Sequence, residues 1–202
     1  MRPRPYLSWT QLDLIEKSED RYVDVYIEGK AMRTNKGMGF GRKVADALDE
    51  RKKGGEVITG DPAFDYVVSK MPTYGNPEVE IETTLNDVPL FGKIDDLCPN
   101  FTGLYEHKTG IGRWTQHKAD THGQIDFYCT LIYGLKKIPP EKLDLKLVYL
   151  PTQYSDTGEI EVTGEDPIVF TTKRTMADVL AMSARQKRAW KRIGELTEKS
   201  LL

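Results

Sequence analysis

Two neighbouring segments carry the strongest structural signal in this chain: Gly92-Lys-Ile-Asp95-Asp96-Leu97 and Leu104-Tyr-Glu106-His107-Lys108-Thr-Gly110. Both are typical of strands that end in polar residues. Successive side chains of a strand point to opposite faces, so Glu106 and Lys108 share one face and His107 lies on the other. If the two strands pair, Asp95 and Glu106 converge as oxygen ligands of the kind that Mg²⁺ prefers.

The same alternation extends outward into a series of strands and helices. Strands are predicted at residues 79–82, 88–97, 103–108, 143–150 and 168–170, because apolar residues there alternate or run continuously. Helices are predicted at residues 9–16, 39–53, 62–71, 114–134 and 175–198, where apolar residues recur at helical spacing. Residues 22–27 fit either a short strand or a helical extension. The order predicts an α/β fold, a mixed central sheet flanked by helices, in one domain over residues 1–202.

Composition excludes several classes of protein. The chain has 202 residues, of which 39% are hydrophobic and 30% charged, so it is expected to fold without disulfides and without a membrane span. Cys98 and Cys129 are too few for an iron–sulfur cluster or an all-cysteine zinc site. The histidines lack a zinc-ligand spacing. No secretory signal is visible, so a cytoplasmic location is expected. A net charge of −2 gives no global signal for nucleic-acid binding.

The strand segments and a later helix together resemble motifs of the PD-(D/E)XK nuclease superfamily, in its RecB-like exonuclease branch common in phages. Its Gly-x-Ile-Asp motif matches Gly92–Asp95, and its Glu-x-Lys-Thr-Gly motif matches Glu106–Gly110. A third motif, Gln-x-x-x-Tyr, matches Gln124–Tyr128. Each motif alone is weak, and Glu-x-Lys by itself is more often a surface ion pair. The combination is specific and extends over roughly residues 8–150.

An upstream helix motif of this family, Gly-x-x-x-His-x-x-x-Glu, falls in register with Gly41. This chain departs from that motif, because Ala45 stands at the histidine and Asp49 at the glutamate. A shift of one residue would place Glu50 at the last position instead. Asp49 is therefore either a further metal ligand or a solvent-facing carboxylate.

The resemblance implies a restriction-endonuclease-like core and a Mg²⁺-dependent deoxyribonuclease, with Mn²⁺ as a substitute ion. It implies an end-processing exonuclease of recombination or repair. Asp95 and Glu106 would hold the metal, joined by the main-chain carbonyl of His107 and by Asp49. Lys108 would assist the attacking water and steady charge on the phosphate. No zinc and no iron–sulfur cluster are expected.

Four further residues are candidate substrate contacts. Gln124 and Tyr128 are four apart and share a helix face, which the resemblance directs into the active cleft. Arg113 would bind phosphate and Trp114 would stack on an unpaired base, as aromatic side chains do on single strands. For Tyr128 and Trp114 the alternative is ordinary core packing. The expected partners are DNA and a single-strand annealing or binding protein, in a prokaryotic, phage-encoded setting.

The chain from Thr172 onward carries eight basic residues and three acidic ones. On a helical period, Arg185, Arg188 and Arg192 gather opposite an apolar side that includes Leu180 and Trp190. This predicts an outward arginine face that either follows the DNA backbone or is simply solvated. A second function class is also open: a nucleic-acid-binding accessory protein with weak or no cleavage, because the upstream helix motif is altered.

Overall fold

A curled mixed β-sheet flanked by helices organises the molecule, which is described here from a computed structural model of residues 4–32, 34–74, 76 and 78–200. The strands are β1 (Val79–Leu85), β2 (Val88–Ile94), β3 (Asp96–Leu97), β4 (Gly103–Gly110), β5 (Asp144–Tyr154), β6 (Ile160–Val162) and β7 (Ile168–Thr172). The α-helices are α1 (Trp9–Lys17), α2 (Glu19–Tyr22), α3 (Lys36–Lys52), α4 (Pro62–Lys70), α5 (Gln116–Asp120), α6 (Gly123–Lys136) and α7 (Met176–Lys199). This confirms the predicted mixed α/β fold.

Strand pairing places the two informative segments side by side. β1 and β2 form a two-stranded antiparallel sheet of their own, and the five-stranded sheet begins with β3, which pairs antiparallel with β4. β4 then pairs in parallel with β5 along its whole length, and α5 and α6 make the crossover between them. β6 and β7 each pair antiparallel with β5. Thus β4 lies inside the sheet, between β3 and β5.

The core lies on both faces of the sheet because β5 is buried on both sides. Leu147 and Tyr149 belong to a cluster with α1, α6 and α7, whereas Val148 and Leu150 belong to a cluster with α3 and α4. This two-sided burial explains why the segment reads as continuously apolar. Within the described ranges, none of the helices has the length and apolar character needed to cross a bilayer.

The predicted helix over residues 114–134 is wrong as one element, because it breaks into α5 and α6 at Thr121-His122. The buried Arg174 stabilises the break by donating to the carbonyl oxygens of Ala119 and His122, at 3.2 and 3.3 Å. α6 restarts at Gly123, where a Cβ would lie 2.6 Å from the ring of Trp9. Tertiary contacts therefore override the continuous helical pattern.

Residues 22–27 are helical rather than extended, since a π-helix over Val23–Ile27 follows α2. A second correction concerns α7. Leu180, predicted on its apolar side, is 63% exposed. Its arginine face is not turned freely outward, because Arg185 pairs with Glu16 at 2.6 Å and Arg192 with Glu19 at 2.7 Å.

Candidate active site

A cavity of about 440 Å³ lies between α3 and β4, and it collects most of the predicted site residues. Its charged and polar walls include Asp49, Lys52, Asp95, Glu106, His107, Lys108 and Gln124. These residues come from α3, from the bend after β2, from β4 and from the first turn of α6. The sequence motifs are thus separate along the chain and adjacent in space.

Asp95 lies in a bend between β2 and β3, and its position is fixed from two sides. Its Oδ2 accepts a hydrogen bond from the main-chain N–H of His107 at 2.8 Å. Its carbonyl oxygen accepts one from Lys52 Nζ at 2.6 Å. The next residue, Asp96, points elsewhere: it is fully buried, and its Oδ2 accepts from the N–H of Tyr74 at 2.9 Å. Of the two neighbours, only Asp95 lines the cavity.

Glu106 is a buried carboxylate at the base of the cavity, with 1% of its surface exposed. Its Oε1 lies 2.5 Å from Lys108 Nζ, so the two residues share one face of β4 as the strand alternation predicts. Burial, together with the negative charge of Asp95, raises the pKa of Glu106 to about 8. Burial also disfavours the charged form of Lys108, but the nearby carboxylates, Glu106 first and then Asp95, together outweigh it and raise the pKa of the lysine.

A hydrogen-bonded chain links Lys108 to α6. Lys108 Nζ donates to Gln124 Oε1 at 2.8 Å, and Gln124 Nε2 donates to the Tyr128 hydroxyl at 2.6 Å. The hydroxyl in turn donates to the carbonyl of Lys93 at 2.8 Å. Gln124 lines the cavity, whereas Tyr128 is 2% exposed and lies behind it. The pair therefore shares one helix face, with Gln124 at the cavity and Tyr128 anchoring it to β2.

Gly92, the first residue of its motif, has a packing role. A Cβ at this position would lie 2.3 Å from Leu131 of α6. The absent side chain lets α6 approach β2 closely enough for the Tyr128 hydroxyl to reach the Lys93 carbonyl.

The upstream helix supplies the opposite wall. Gly41, Ala45 and Asp49 all line the cavity from α3, as residues four apart on one face must. Glu50 lies on the outside, where its side chain is 66% exposed and pairs with Lys53. The geometry therefore favours the register that ends at Asp49 over the one that ends at Glu50.

Arg113 and Trp114 lie outside the cavity lining. Arg113 is exposed in the loop between β4 and α5. Trp114 is partly buried against the core, edge-on to His122 at 5.2 Å and near Tyr149 at 6.4 Å. For Trp114 this geometry favours the alternative of core packing.

Lys52 was missed by sequence reasoning. Lys52 lies in the last turn of α3, where a lysine is usual and needs no special role. Its side chain is nevertheless only 1% exposed. The available signal was its spacing: positions 41, 45, 49 and 52 follow one face of a helix. Only the packing of α3 over β4 shows that this face lines the cavity.

The residues present fit a single hard divalent cation. Glu106 Oε2 is buried and takes no part in the ion pair that Oε1 makes with Lys108. A cation beside Oε2 would favour the charged carboxylate, and so would offset the burial and the repulsion from Asp95 that raise the pKa of Glu106. Mg²⁺ uses one or two carboxylates and otherwise takes water and phosphate oxygens. Across the described part of the chain, no group of three or more His, Cys, Asp or Glu side chains is placed to hold a metal.

Solved structures with the same fold carry exonuclease names. A protein from Eubacterium rectale with a provisional designation as an exonuclease superposes with a TM-score of 0.61 at 11% identity, covering 96% of this chain and 82% of that one. A phage-related exonuclease from Haemophilus somnus gives 0.54 at 12% identity, covering 92% and 83%. An alkaline exonuclease from Laribacter hongkongensis gives 0.50 at 11%, covering 96% and 90%. At these identities the likeness establishes a nuclease-like fold. No protein-family model and no curated protein matches the chain.

Proposed function

We propose that this protein is a metal-dependent deoxyribonuclease of the PD-(D/E)XK type that processes DNA ends. The observation that carries the proposal is the convergence of Asp95, Glu106, Lys108 and Gln124 on one cavity from three separate segments. The exonuclease names of the three structural neighbours support action at DNA ends. Residues 1–202 would form one nuclease domain, working in a prokaryotic cell, with a single-strand annealing protein as the candidate partner.

Asp95 and Glu106 are the residues that would hold the cation. Asp95 is pre-positioned by the His107 N–H and by Lys52, so its carboxylate needs no reorganisation on binding. Glu106 brings a second buried oxygen, Oε2, that takes no part in the ion pair with Lys108. When bound, Mg²⁺ supplies Lewis acidity at the scissile phosphate. The His107 carbonyl is the proposed supplementary ligand, and Asp49 would contact a water molecule of the hydrated ion.

Lys108 is the group that would act on the attacking water and on the charge that develops at phosphorus. Its ammonium is held between Glu106 Oε1 and Gln124 Oε1, which fixes its direction toward the cavity. Gln124 is in turn held by Tyr128, so the two helix residues orient the lysine. Tyr128 acts through Gln124, since its own surface is almost fully buried.

One observation favours the second candidate function, an accessory DNA-binding protein without efficient cleavage. Ala45 offers no ligand atom on the α3 wall, and the described acidic side chains form no three-member metal group. A chain with this arrangement could bind DNA ends and cleave them slowly.

Digestion of end-labelled linear DNA and covalently closed circular DNA, each with Mg²⁺ or with EDTA, tests the proposal. We expect Mg²⁺-dependent loss of the linear substrate, no loss in EDTA and little loss of the circle. Binding of linear DNA without cleavage in either Mg²⁺ or Mn²⁺ would favour the accessory role. Equal cleavage of both substrates would contradict action at ends.

A further inference from the structure

Lys52 is the most unusual charged residue outside the recognised motifs. Its side chain is 1% exposed, and its Nζ donates to the carbonyl of Asp95 at 2.6 Å. The same atom lies 3.9 Å from Asp49 Oδ1 and 3.9 Å from Asp96 Oδ2. Lysine is almost never buried unless it is paired. Here it is shared among three acidic residues rather than bound to one, so it acts as a fixed positive charge at the α3 side of the cavity.

The charges on the cavity walls allow one divalent cation and disfavour two. Glu78 also lines the cavity but pairs with Lys93. With Glu106 ionised, as a bound cation requires, the remaining wall carries three carboxylates and two ammonium groups, a formal charge of −1: Asp49, Asp95, Glu106, Lys52 and Lys108. One divalent ion and one phosphodiester together bring this charge to zero. A second divalent ion would leave a charge of +2 in a partly buried space, where repulsion is weakly screened.

The position of Lys52 also determines where a second ion could bind. The carboxylate on the α3 wall is Asp49, and its Oδ1 already faces the Lys52 ammonium. An ion held by Asp49 would have to approach that ammonium closely. Ala45, one turn earlier on the same wall, offers no ligand atom in compensation. The α3 side of the cavity therefore already carries a fixed positive charge, the Lys52 ammonium.

We propose that the Lys52 ammonium takes the place of a second metal ion, so that the site binds a single divalent cation at Asp95 and Glu106. Lys52 is a positioning residue in this scheme: it fixes Asp95 through its carbonyl and neutralises Asp49. The inference deepens the proposed nuclease function and rests on it. The competing role for Lys52 is purely structural, as a lysine that stabilises the last turn of α3.

Counting bound Mn²⁺ on the purified full-length protein without DNA, by electron paramagnetic resonance and calorimetry, tests the proposal independently of activity. We expect wild type to bind one Mn²⁺ per chain. Lys52→Met removes the resident charge and should admit a second Mn²⁺. Lys53→Met is the matched control, because its side chain is 59% exposed and pairs only with Glu50 in the described contacts. It should bind Mn²⁺ as wild type does.

Lys52→Arg keeps the charge and should retain a stoichiometry of one, a rescue that a merely structural role would not require. Two Mn²⁺ ions of similar affinity on wild type would overturn the inference, even with an active nuclease. Unchanged Mn²⁺ binding by a folded Lys52→Met variant would overturn it as well. If that variant does not fold by circular dichroism, the wild-type and Lys52→Arg counts decide. Absence of any Mn²⁺ binding by wild type would remove the metal from the proposed function itself.

Discussion

The lysines of the cavity and the arginines of α7 place positive charge in two different settings. Lys52 and Lys108 have side chains that are 1% and 24% exposed, and their partners are the residues that build the site. Arg185 and Arg192 are about one-third exposed, and they hold Glu16 and Glu19 of the N-terminal helices. The first pair of charges is directed at a cavity, whereas the second pair ties α7 to α1 and α2.

This difference shows that the number of basic residues is a poor guide to where a substrate binds. α7 is the most basic region of the sequence, yet two of its arginines are already occupied by carboxylates. The cavity holds fewer cations, but burial strengthens their interactions with nearby charge. We therefore expect substitutions in the cavity to change catalysis and substitutions on this face of α7 to change stability.

The largest effect is expected at Glu106 and Lys108. Glu106→Gln removes a metal-ligand charge and Lys108→Met removes the oriented ammonium, so each should lower single-turnover cleavage on the order of 10³-fold or more. Glu19→Gln, on the α7 side, is the control and should leave the rate unchanged. A near-wild-type rate for folded Glu106→Gln would place the active site elsewhere.

Gln124 should have a smaller effect, because it acts by orienting Lys108. Gln124→Leu breaks the hydrogen bonds to Lys108 and Tyr128. The cleavage rate should fall by about 10- to 100-fold, as is usual when a residue that orients an active-site group is lost. Gln153→Leu, an exposed glutamine outside the cavity, serves as the comparison. Equal rates for the two variants would show that Gln124 does not position the lysine.

The metal-free protein should lose stability as the pH rises. The pKa of Glu106 is raised from its ordinary 4.5 to about 8, so the folded state keeps a proton that the unfolded state releases. The stabilising contribution is complete below about pH 4.5 and is lost as the pH approaches 8. Urea unfolding in EDTA should show this fall in wild type and a flatter profile in Glu106→Gln. Added Mg²⁺ should restore stability at pH 8, because it binds the folded state. If the stability of the two proteins changed with pH in parallel, Glu106 would not be the group whose raised pKa causes the fall.

The smallest effect is expected on α7. Exposed ion pairs contribute little to stability, so the double variant Arg185→Gln/Arg192→Gln should lower the free energy of unfolding only slightly. DNA affinity should keep its dependence on salt, since these arginines are paired with Glu16 and Glu19. Arg188→Gln, on the same helix and exposed, is the control for stability. If the double variant instead reduced the slope of log affinity against log salt by the amount expected for about two phosphate contacts, the arginine face would be a DNA contact after all.

The sequence predicted what depends on local periodicity. Strand alternation put Glu106 and Lys108 on one face, and the structure confirms this relationship. Helical spacing put Gln124 and Tyr128 together, which is also confirmed. The chemical roles of these residues stay predictions, since geometry alone does not test them.

What the sequence could not provide depends on contacts between distant segments. The break at Thr121-His122 needs Arg174, which lies about fifty residues further along the chain. The burial of Lys52 needs α3 to pack over β4. The ion pairs of the α7 arginines depend on acidic residues of α1 and α2, which are far away in the sequence. A helical period specifies the faces of a helix but does not identify what lies opposite each face.

The most direct test compares two adjacent carboxylates, Asp95 and Asp96. Asp95 faces the cavity, whereas Asp96 faces the backbone of Tyr74, and asparagine can keep that second hydrogen bond. Mg²⁺-dependent cleavage of end-labelled linear DNA should fall on the order of 10³-fold or more in Asp95→Asn and stay within about tenfold of wild type in folded Asp96→Asn. Full activity in Asp95→Asn, or the loss of activity only in Asp96→Asn, would contradict a nuclease centre in this cavity.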